Sequence, residues 1–183
     1  DDVKLREEEG LFLAEGVKVV EELAKSNWKI KAWLVISEKI KYWEKIDLPE
    51  TSDIPVYRLT RSQWEKIGQD REPEGIMAVV EIPETAKLSS WLAKISGNIL
   101  ILHDINNPLN LGALARSALW FGFDSIILSN NSVDYTNPKA VRASMGSIFH
   151  LAIFRDIDLW TALPEIKQYF FLVGSDVREG VSP

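Results

Sequence analysis

Apolar residues in the second half of the chain recur with two periods that alternate along the sequence. Short, almost wholly apolar runs indicate strands of a parallel sheet, which are buried on both faces. Longer stretches with apolar positions three and four residues apart indicate helices. The strands are predicted at Ile99–Leu102, Ser125–Leu128, Leu151–Phe154 and Tyr169–Val173, and the helices at Leu111–Phe121, Pro138–Ser147 and Leu159–Gln168. This order predicts a mostly parallel sheet with right-handed crossovers.

The first half alternates in the same way, with shorter elements. Strands are predicted at Lys31–Ile36, Ile54–Leu59 and Gly75–Val80, and helices at Leu11–Ala24, Ile40–Ile46 and Thr60–Ile67. The aperiodic stretch around Pro83 is typical of a linker. We therefore predict an α/β protein in three parts: a small α/β domain over residues 1–83, a linker and entry helix over 84–97, and a second α/β domain over 98–183.

Composition limits the classes of protein that fit this pattern. The 183 residues are 46% hydrophobic and 26% charged, which is typical of a globular chain rather than a disordered one. No apolar run is long enough to span a bilayer, and the absence of cysteine excludes disulfides and thiolate chemistry. A cytoplasmic location without membrane partners is the expectation. The net charge of −6 argues against binding to nucleic acid by bulk charge and leaves a local basic patch open.

Several common catalytic motifs are missing from the sequence. No G-x-G-x-x-G turn, Walker A loop or G-x-S-x-G elbow follows any predicted strand. The two histidines, His103 and His150, lie at separate strand ends without the spacing of metal ligands, so no metal is expected. His103 and Asp104 form either an acid–base pair or an ordinary strand end. The position of His150 at the entry to a strand favours a structural role.

The segment from Leu102 to Ala118 carries the most chemical information. A buried strand ends in a polar loop, Asn110 and Gly112 then open a helix, and Arg116 follows off its apolar stripe. In one interpretation Arg116 is a solvated helical arginine and Asn110 an ordinary N-cap. In the other, both lie at the mouth of the strand ends, where an anionic substrate meets a positive helix N-terminus.

Five stretches of the sequence resemble, in order, the motifs of the SpoU (TrmH-type) RNA 2′-O-ribose methyltransferases. The family's first motif consists of an Asn, then Gly-Ala, then an Arg six residues after the Asn. Asn110, Gly112-Ala113 and Arg116 match it in this sequence. The five stretches are Phe12–Gly16, Glu74–Val79, Asn107–Ala118, Phe121–Leu128 and Lys139–Gly146. Together they span nearly the whole chain.

The resemblance implies methyl transfer from S-adenosylmethionine to a ribose 2′-hydroxyl of rRNA or tRNA. It implies an RNA-binding first domain and a SPOUT-type (α/β knot) catalytic domain, which forms a homodimer in the family. The family's catalytic Arg corresponds to Arg116, with Asn110 orienting the loop or that Arg. Because a guanidinium is a poor base, holding a phosphate or a developing alkoxide is the easier role for it.

Three further residues are expected to face the RNA. Lys139 and Arg142 lie one helical turn apart and are expected to touch phosphates, the alternative being a solvated helix start. Glu15 matches a position near the RNA-facing end of the first domain. An acidic group does not bind phosphate directly, so the alternative for Glu15 is to cap a turn.

Two family motifs, a Gly-x-Glu loop and a Ser-Leu-Asn segment, have no counterpart in the sequence. They supply most of the cofactor pocket and the C-terminal knot, so only Gly174 and Ser175 match a cofactor-contacting loop. We therefore expect residues 1–183 to lack the knot, to bind S-adenosylmethionine poorly and to be inactive as a fragment. The alternatives are a non-catalytic RNA-binding module and an unrelated α/β enzyme or interaction domain without RNA affinity.

Overall fold

A computed structural model describes residues 3–39, 54–69, 72–84, 86–95 and 97–175. Within them lie seven strands and seven α-helices, together with 3₁₀ turns at Ser37–Lys39 and Ser147–His150. The strands are β1 (Leu11–Glu15), β2 (Ile30–Ile36), β3 (Val56–Leu59), β4 (Ile76–Glu81), β5 (Asn98–Leu102), β6 (Phe123–Ser129) and β7 (Ala152–Ile157). The helices are α1 (Val3–Glu9), α2 (Val17–Ala24), α3 (Arg61–Trp64), α4 (Leu88–Leu92), α5 (Pro108–Trp120), α6 (Pro138–Ala143) and α7 (Leu159–Ile166). The α/β class predicted from the sequence is confirmed.

The first half forms a mixed sheet with the strand order β1-β4-β2-β3. Strand β4 pairs antiparallel with both β1 and β2, and β2 pairs parallel with β3. The prediction of one helix over Leu11–Ala24 is wrong for its first five residues, which form β1. Gly16 adopts a φ of 111°, a conformation that ends the strand and lets only the following residues form a helix. The predicted helix at Ile40–Ile46 lies outside the described residues.

The second half forms a parallel sheet with the strand order β5-β6-β7. Successive side chains of β6 point to opposite faces of the sheet, so neighbouring residues pack into different apolar cores. Ile126 and Leu128 pack into the same core as helices α5 and α6, whereas Ile127 packs with Leu92 of α4 and Ile166 of α7. This arrangement confirms the predicted parallel sheet and places helices on both of its faces.

Two predicted elements of the second half differ from the structure. The predicted strand Tyr169–Val173 pairs with none of the described strands. Phe170 and Leu172 pack partly against the apolar cluster beside α7, while Phe171 is exposed. The segment therefore alternates between buried and exposed side chains as a strand does, but it pairs with no described strand. The predicted helix from Pro138 to Ser147 ends at Ala143, because Met145 and Gly146 adopt positive φ angles.

The two halves share one apolar core. Phe12 and Phe149, from the first and second halves, stack with ring centroids 6.5 Å apart, and Trp28 of the first half contacts the two rings at 5.8 and 5.3 Å. Ion pairs from α1 and α2 also cross between the halves. The first half therefore packs directly on the helical face of the parallel sheet. Within the described residues, no helix is both long and apolar enough to cross a bilayer.

Candidate nucleic-acid interface

The loops that follow β5 and β6 meet at the carboxyl edge of the parallel sheet. Asp104, the second residue after β5, has a φ of 51°, which turns the chain sharply away from the strand. Its backbone N–H donates to Oγ of Ser129 at 2.8 Å, and that hydroxyl donates back to the Asp104 carboxylate at 3.2 Å. The N–H of Val133 donates to the carbonyl of Ile105 at 2.7 Å, which joins the two loops through their backbones.

Helix α5 begins earlier than the sequence pattern predicted. Its N-cap is Asn107, whose side-chain oxygen accepts the N–H of Leu109 at 2.9 Å, and Pro108 occupies the first helical position. Proline is favoured there because its fixed φ suits a helix and its missing N–H costs nothing. The interpretation of Asn110 as the N-cap is therefore wrong: Asn110 lies exposed within the first turn.

Gly112 allows α5 and α6 to approach closely. A β-carbon at this position would lie 2.5 Å from the carbonyl oxygen of Ala140 and 2.5 Å from Cβ of Ala143. These contacts are well inside van der Waals distance, so only glycine fits between the two helices as they stand. The glycine in the Asn-x-Gly-Ala stretch therefore fixes the position of α6 relative to the N-terminal end of α5.

An open depression lies at the N-terminal end of α5, beside the start of α6. It is lined by Asn106, Asn107, Pro108, Leu109 and Lys139. Lys139 comes from α6 and faces a helix N-terminus, where partial positive charge from the backbone adds to that of its ammonium group. Pro108 has no N–H and the N–H of Leu109 is donated to Asn107, so Lys139 and the dipole of α5 are what suit the depression to an anionic group such as a phosphate.

Arg116 lies further from this depression than the sequence analysis expected. It is the ninth residue of the 13-residue helix α5, about 12 Å along the axis from Pro108. Asn110 and Arg116, six positions apart, project about 120° apart around the helix, so they do not share one face. The guanidinium is exposed, and no hydrogen bond or ion pair to it occurs within the described part of the chain. Its catalytic role stays a prediction.

The other predicted RNA and cofactor residues occupy separate places. Arg142 is half-buried on α6, and the described lining of the depression includes Lys139 without it. Gly174 and Ser175 lie exposed beyond α7. A β-carbon at Gly174 would meet no described atom within 4 Å. The described residues therefore do not enclose a cofactor pocket around Gly174 and Ser175.

Glu15 is a buried structural group in the first half. Its residue is 4% exposed, and its carboxylate accepts the indole N–H of Trp64 at 3.3 Å and the backbone N–H of Gln69 at 2.7 Å. The carboxylate thus ties the end of β1 to the turn after α3. This geometry favours the turn-capping interpretation of Glu15 over direct contact with RNA.

The two histidines also occupy different environments. His103 Nδ1 lies 3.4 Å from Asp104 Oδ2, with both side chains exposed, and His150 Nε2 lies 3.0 Å from Glu22 Oε2. The second pair joins the two halves, which matches the structural role expected for His150. Among the described residues, no group of three or more metal-ligating side chains comes together.

Four of the five lining residues of the depression were not predicted as site residues: Asn106, Asn107, Pro108 and Leu109. The signal that identifies Asn107 is the Asn-Pro pair before a helical pattern, since Asn is a strong N-cap and Pro favours the first helical position. Nothing in the local pattern distinguishes Leu109, which is apolar yet exposed. Its place in the depression follows from the position of α6.

Two protein-family descriptions match the chain in succession. Residues 1–78 match the MRM3-like substrate binding domain, and residues 97–182 match the SpoU rRNA Methylase family. A curated relative, the 23S rRNA (guanosine(2553)-2'-O)-methyltransferase RlmP of Bacillus subtilis, is 30% identical over 152 residues. That alignment covers 83% of this chain and 57% of the relative, so the chain spans little more than half of the relative's length.

Two solved structures share the fold. A TrmH-family protein from Porphyromonas gingivalis aligns over 100% of this chain and 71% of its own, with 25% identity and a TM-score of 0.75. The SpoU methyltransferase AviRb from Streptomyces viridochromogenes, solved with the cofactor AdoMet, aligns over 92% of this chain and 63% of its own. Its identity is 21% and its TM-score 0.74. Taken together, the chain is similar in its first part to the MRM3-like substrate binding domain and in its second part to the SpoU rRNA Methylase family.

Proposed function

We propose that the protein containing this chain transfers a methyl group from S-adenosylmethionine to a ribose 2′-hydroxyl of rRNA. The observation that carries the proposal is the juxtaposition of Lys139 with the N-terminal end of α5 at the carboxyl edge of the parallel sheet. Ligands of open α/β sheets bind at this edge. The match of residues 97–182 to the SpoU rRNA Methylase family and the 23S rRNA named for the Bacillus subtilis relative support rRNA over tRNA.

The depression serves in this proposal as a phosphate subsite. The ammonium group of Lys139 and the N-terminal end of α5 attract a phosphate of the RNA backbone, which sets the register of the RNA. Arg116 lies about two helical turns further along the same helix. We propose that it holds a neighbouring phosphate or the developing alkoxide, because arginine stays protonated and does not act as a base at neutral pH.

The cofactor requires a separate argument. S-adenosylmethionine supplies the methyl group when bound, and its adenosine needs an enclosed, largely apolar pocket. The described residues around Gly174 and Ser175 do not form such a pocket, so we derive no step through the cofactor. We propose that residues 1–183 supply the RNA-facing part of the enzyme, with the boundaries 1–83, 84–97 and 98–183, and that they are inactive alone.

We also propose that the protein is a cytoplasmic homodimer. Several large apolar side chains of the second half face solvent, including Trp120 at 85% exposure and Phe121 at 74%, both at the C-terminal end of α5. Exposed apolar groups of this size are typical of association surfaces. Sedimentation of the purified protein at several concentrations tests the dimer directly.

RNA binding provides the first test. The variant Lys139→Ala should weaken binding of a large-subunit rRNA transcript by about tenfold, the loss of one charge-assisted contact of about 1.4 kcal/mol. It should also reduce the slope of log K against log salt by about 1. The matched control is Lys167→Ala, which removes an exposed lysine just beyond α7. Equal losses in both variants would show that only bulk charge is at work and refute the subsite.

The catalytic part of the proposal needs a second measurement. Titration calorimetry with S-adenosylmethionine and mass spectrometry of 2′-O-methylated nucleosides are to be run on residues 1–183 and on the protein from the complete gene. We expect methylation by the complete protein and neither cofactor binding nor methylation by residues 1–183. RNA binding without methylation by the complete protein would instead support a non-catalytic RNA-binding module.

A further inference from the structure

A buried ion pair joins the first helix of the chain to a loop of the second half. Arg6 of α1 donates from Nη2 to Oδ2 of Asp134 at 2.9 Å and from Nε at 3.3 Å. The two side chains are 7% and 10% exposed. Asp134 lies in the loop between β6 and α6, at the carboxyl edge of the parallel sheet. The contact therefore connects the first half of the protein to the edge where the candidate interface lies.

Asp134 organises the residues that lead into α6. Its Oδ1 accepts the N–H of Thr136 at 2.9 Å, and its Oδ2 accepts the hydroxyl of Thr136 at 2.6 Å. Its carbonyl accepts the N–H of Asn137 at 3.1 Å. Asn137 is in turn the N-cap of α6, with its side chain accepting the N–H of Lys139 at 2.9 Å. A continuous chain of hydrogen bonds thus runs from Arg6 to the backbone of Lys139.

Arg6 is the cation that is hydrogen-bonded to Asp134, while the charge of Arg155 acts on the same carboxylate from further away. A carboxylate that is nine-tenths buried is stable only with a counter-charge and with its lone pairs satisfied. In the absence of Arg6, the carboxylate is solvated more cheaply if the loop rotates Asp134 toward water. That rotation breaks the bonds to Thr136 and alters the start of α6, so it displaces Lys139 from the N-terminal end of α5.

We propose that Arg6 is a positioning residue for RNA, holding Lys139 in the phosphate subsite through Asp134. The expected change in RNA affinity rests on the proposed function, whereas the expected ordering of the loop before α6 rests on the hydrogen bonds alone. It gives α1 a role beyond packing. The helix of the substrate-binding half sets the shape of the subsite on the methyltransferase half, so RNA bound across both halves meets one fixed surface.

A second ion pair between α1 and the second half provides a control variant. Glu7, the next residue of α1, pairs with Arg155 of β7 at 3.0 Å, with side chains 51% and 33% exposed. Arg155 is not part of the loop before α6. The variant Glu7→Gln removes a charge pair between the same helix and the same half and leaves both hydrogen bonds from Arg6 to Asp134 in place, while Arg155, whose charge also acts on Asp134, keeps its charge. This variant is the matched control for Arg6→Gln.

The test is a double-mutant cycle between Arg6 and Lys139, measured as affinity for the rRNA transcript. In the native background Lys139→Ala should cost about tenfold in affinity, as above. In the Arg6→Gln background the same change should cost less than twofold, because Lys139 no longer lies in the subsite. In the Glu7→Gln background the cost should stay about tenfold. Arg6→Lys should recover part of the coupling, since it restores the charge.

Hydrogen exchange separates this proposal from the proposed function. Arg6→Gln should raise amide exchange at Thr136, Asn137 and Lys139 at least tenfold, and Glu7→Gln should leave it unchanged. If Lys139→Ala has no effect on affinity in the native background, the RNA subsite fails while the exchange result still judges the positioning. Where Arg6→Gln does not fold, the Arg6→Gln/Asp134→Asn double variant removes both charges and keeps an amide oxygen that can accept from Thr136, so exchange at the three amides should stay near the native rate. Unchanged exchange at these three amides in Arg6→Gln, or raised exchange in the double variant, would overturn the proposal.

Discussion

Replacing Gly112 by alanine tests the contact on which the candidate interface depends. The added methyl group would lie 2.5 Å from the Ala140 carbonyl oxygen, 2.5 Å from Cβ of Ala143 and 2.8 Å from the backbone N of Ser144. Favourable separations between carbon atoms begin near 3.5 Å, so α5 and α6 must separate by about 1 Å. Two of the three atoms belong to the backbone, and rotation of a side chain does not relieve the clash.

Two opposing energies set the size of the effect. Overpacking of a close helix contact costs about 1–3 kcal/mol, and three simultaneous contacts place Gly112→Ala near the upper end of that range. Alanine regains about 1 kcal/mol over glycine in a helix interior through its lower conformational entropy in the unfolded chain. We therefore expect a net loss of about 2 kcal/mol in the free energy of unfolding.

Urea denaturation followed by tryptophan fluorescence measures this loss, together with the m-value that reports the surface exposed on unfolding. The control is Ala113→Gly at the neighbouring exposed position of α5, which should lose about 1 kcal/mol from helix propensity alone. Gly112→Ala should also weaken the contribution of Lys139 to RNA affinity, since α6 moves. A Gly112→Ala protein as stable as the native one would refute the close packing of α5 on α6.

Three other predictions concern buried and paired ionisable groups. Hydrogen bonding from Lys18 lowers the pKa of Glu22 to about 2 from its ordinary value of 4.5, so its contribution to stability is lost as the pH falls from 4.5 toward 2. In acid titrations monitored by circular dichroism, Glu22→Gln should flatten that part of the stability curve, and an unchanged curve would contradict the ion pair. Burial raises the pKa of Tyr135 to about 12 from 10, so stability should fall between pH 10 and 12 as only the unfolded phenol ionises. Absorbance at 295 nm should show one phenol ionising near pH 12 that Tyr135→Phe removes; loss of a phenol ionising near pH 10 would count against burial. Glu15→Ala leaves the N–H of Gln69 without its acceptor and should cost about 1–3 kcal/mol in urea denaturation, whereas a loss below about 0.5 kcal/mol would show the turn to be satisfied by water.

The sequence predicted the second half of the fold better than the first. In the parallel sheet, apolar runs such as Ile99–Leu102 are buried on both faces, so hydrophobicity alone marks them. In the first half the apolar spacing of Leu11–Ala24 is compatible with a helix, and pairing with β4 decides that its first residues form a strand. The deciding partner lies more than sixty residues away, beyond the reach of any local pattern.

The candidate interface was predicted only in part, because some of its residues are positioned by contacts that are distant in the sequence. Lys139 and the stretch around Asn110 were identified from the sequence, and the structure places Lys139 beside the loop at Asn107. The start of α5 was placed too late, which put Arg116 closer to the strand ends than it is. The role of Arg6 had no sequence signal, because its partner Asp134 is 128 residues away and only the packing of the two halves brings them together.

The distribution of paired and unpaired cations reconciles the proposed RNA binding with a net charge of −6. Arg6 and Arg155 pair with Asp134 and Glu7 across the two halves, and Lys18 pairs with Glu22, so these cations serve the fold. The side chains of Lys139 and Arg116 contact no acidic group within the described residues. Since a charge neutralised by a carboxylate attracts phosphate weakly, the proposed RNA affinity depends on cations that contact no carboxylate and lie where the backbone also contributes positive charge. Arg6 contributes to the fold and to the proposed RNA site. Its charge is neutralised by Asp134 inside the fold, and this ion pair holds the loop that positions Lys139.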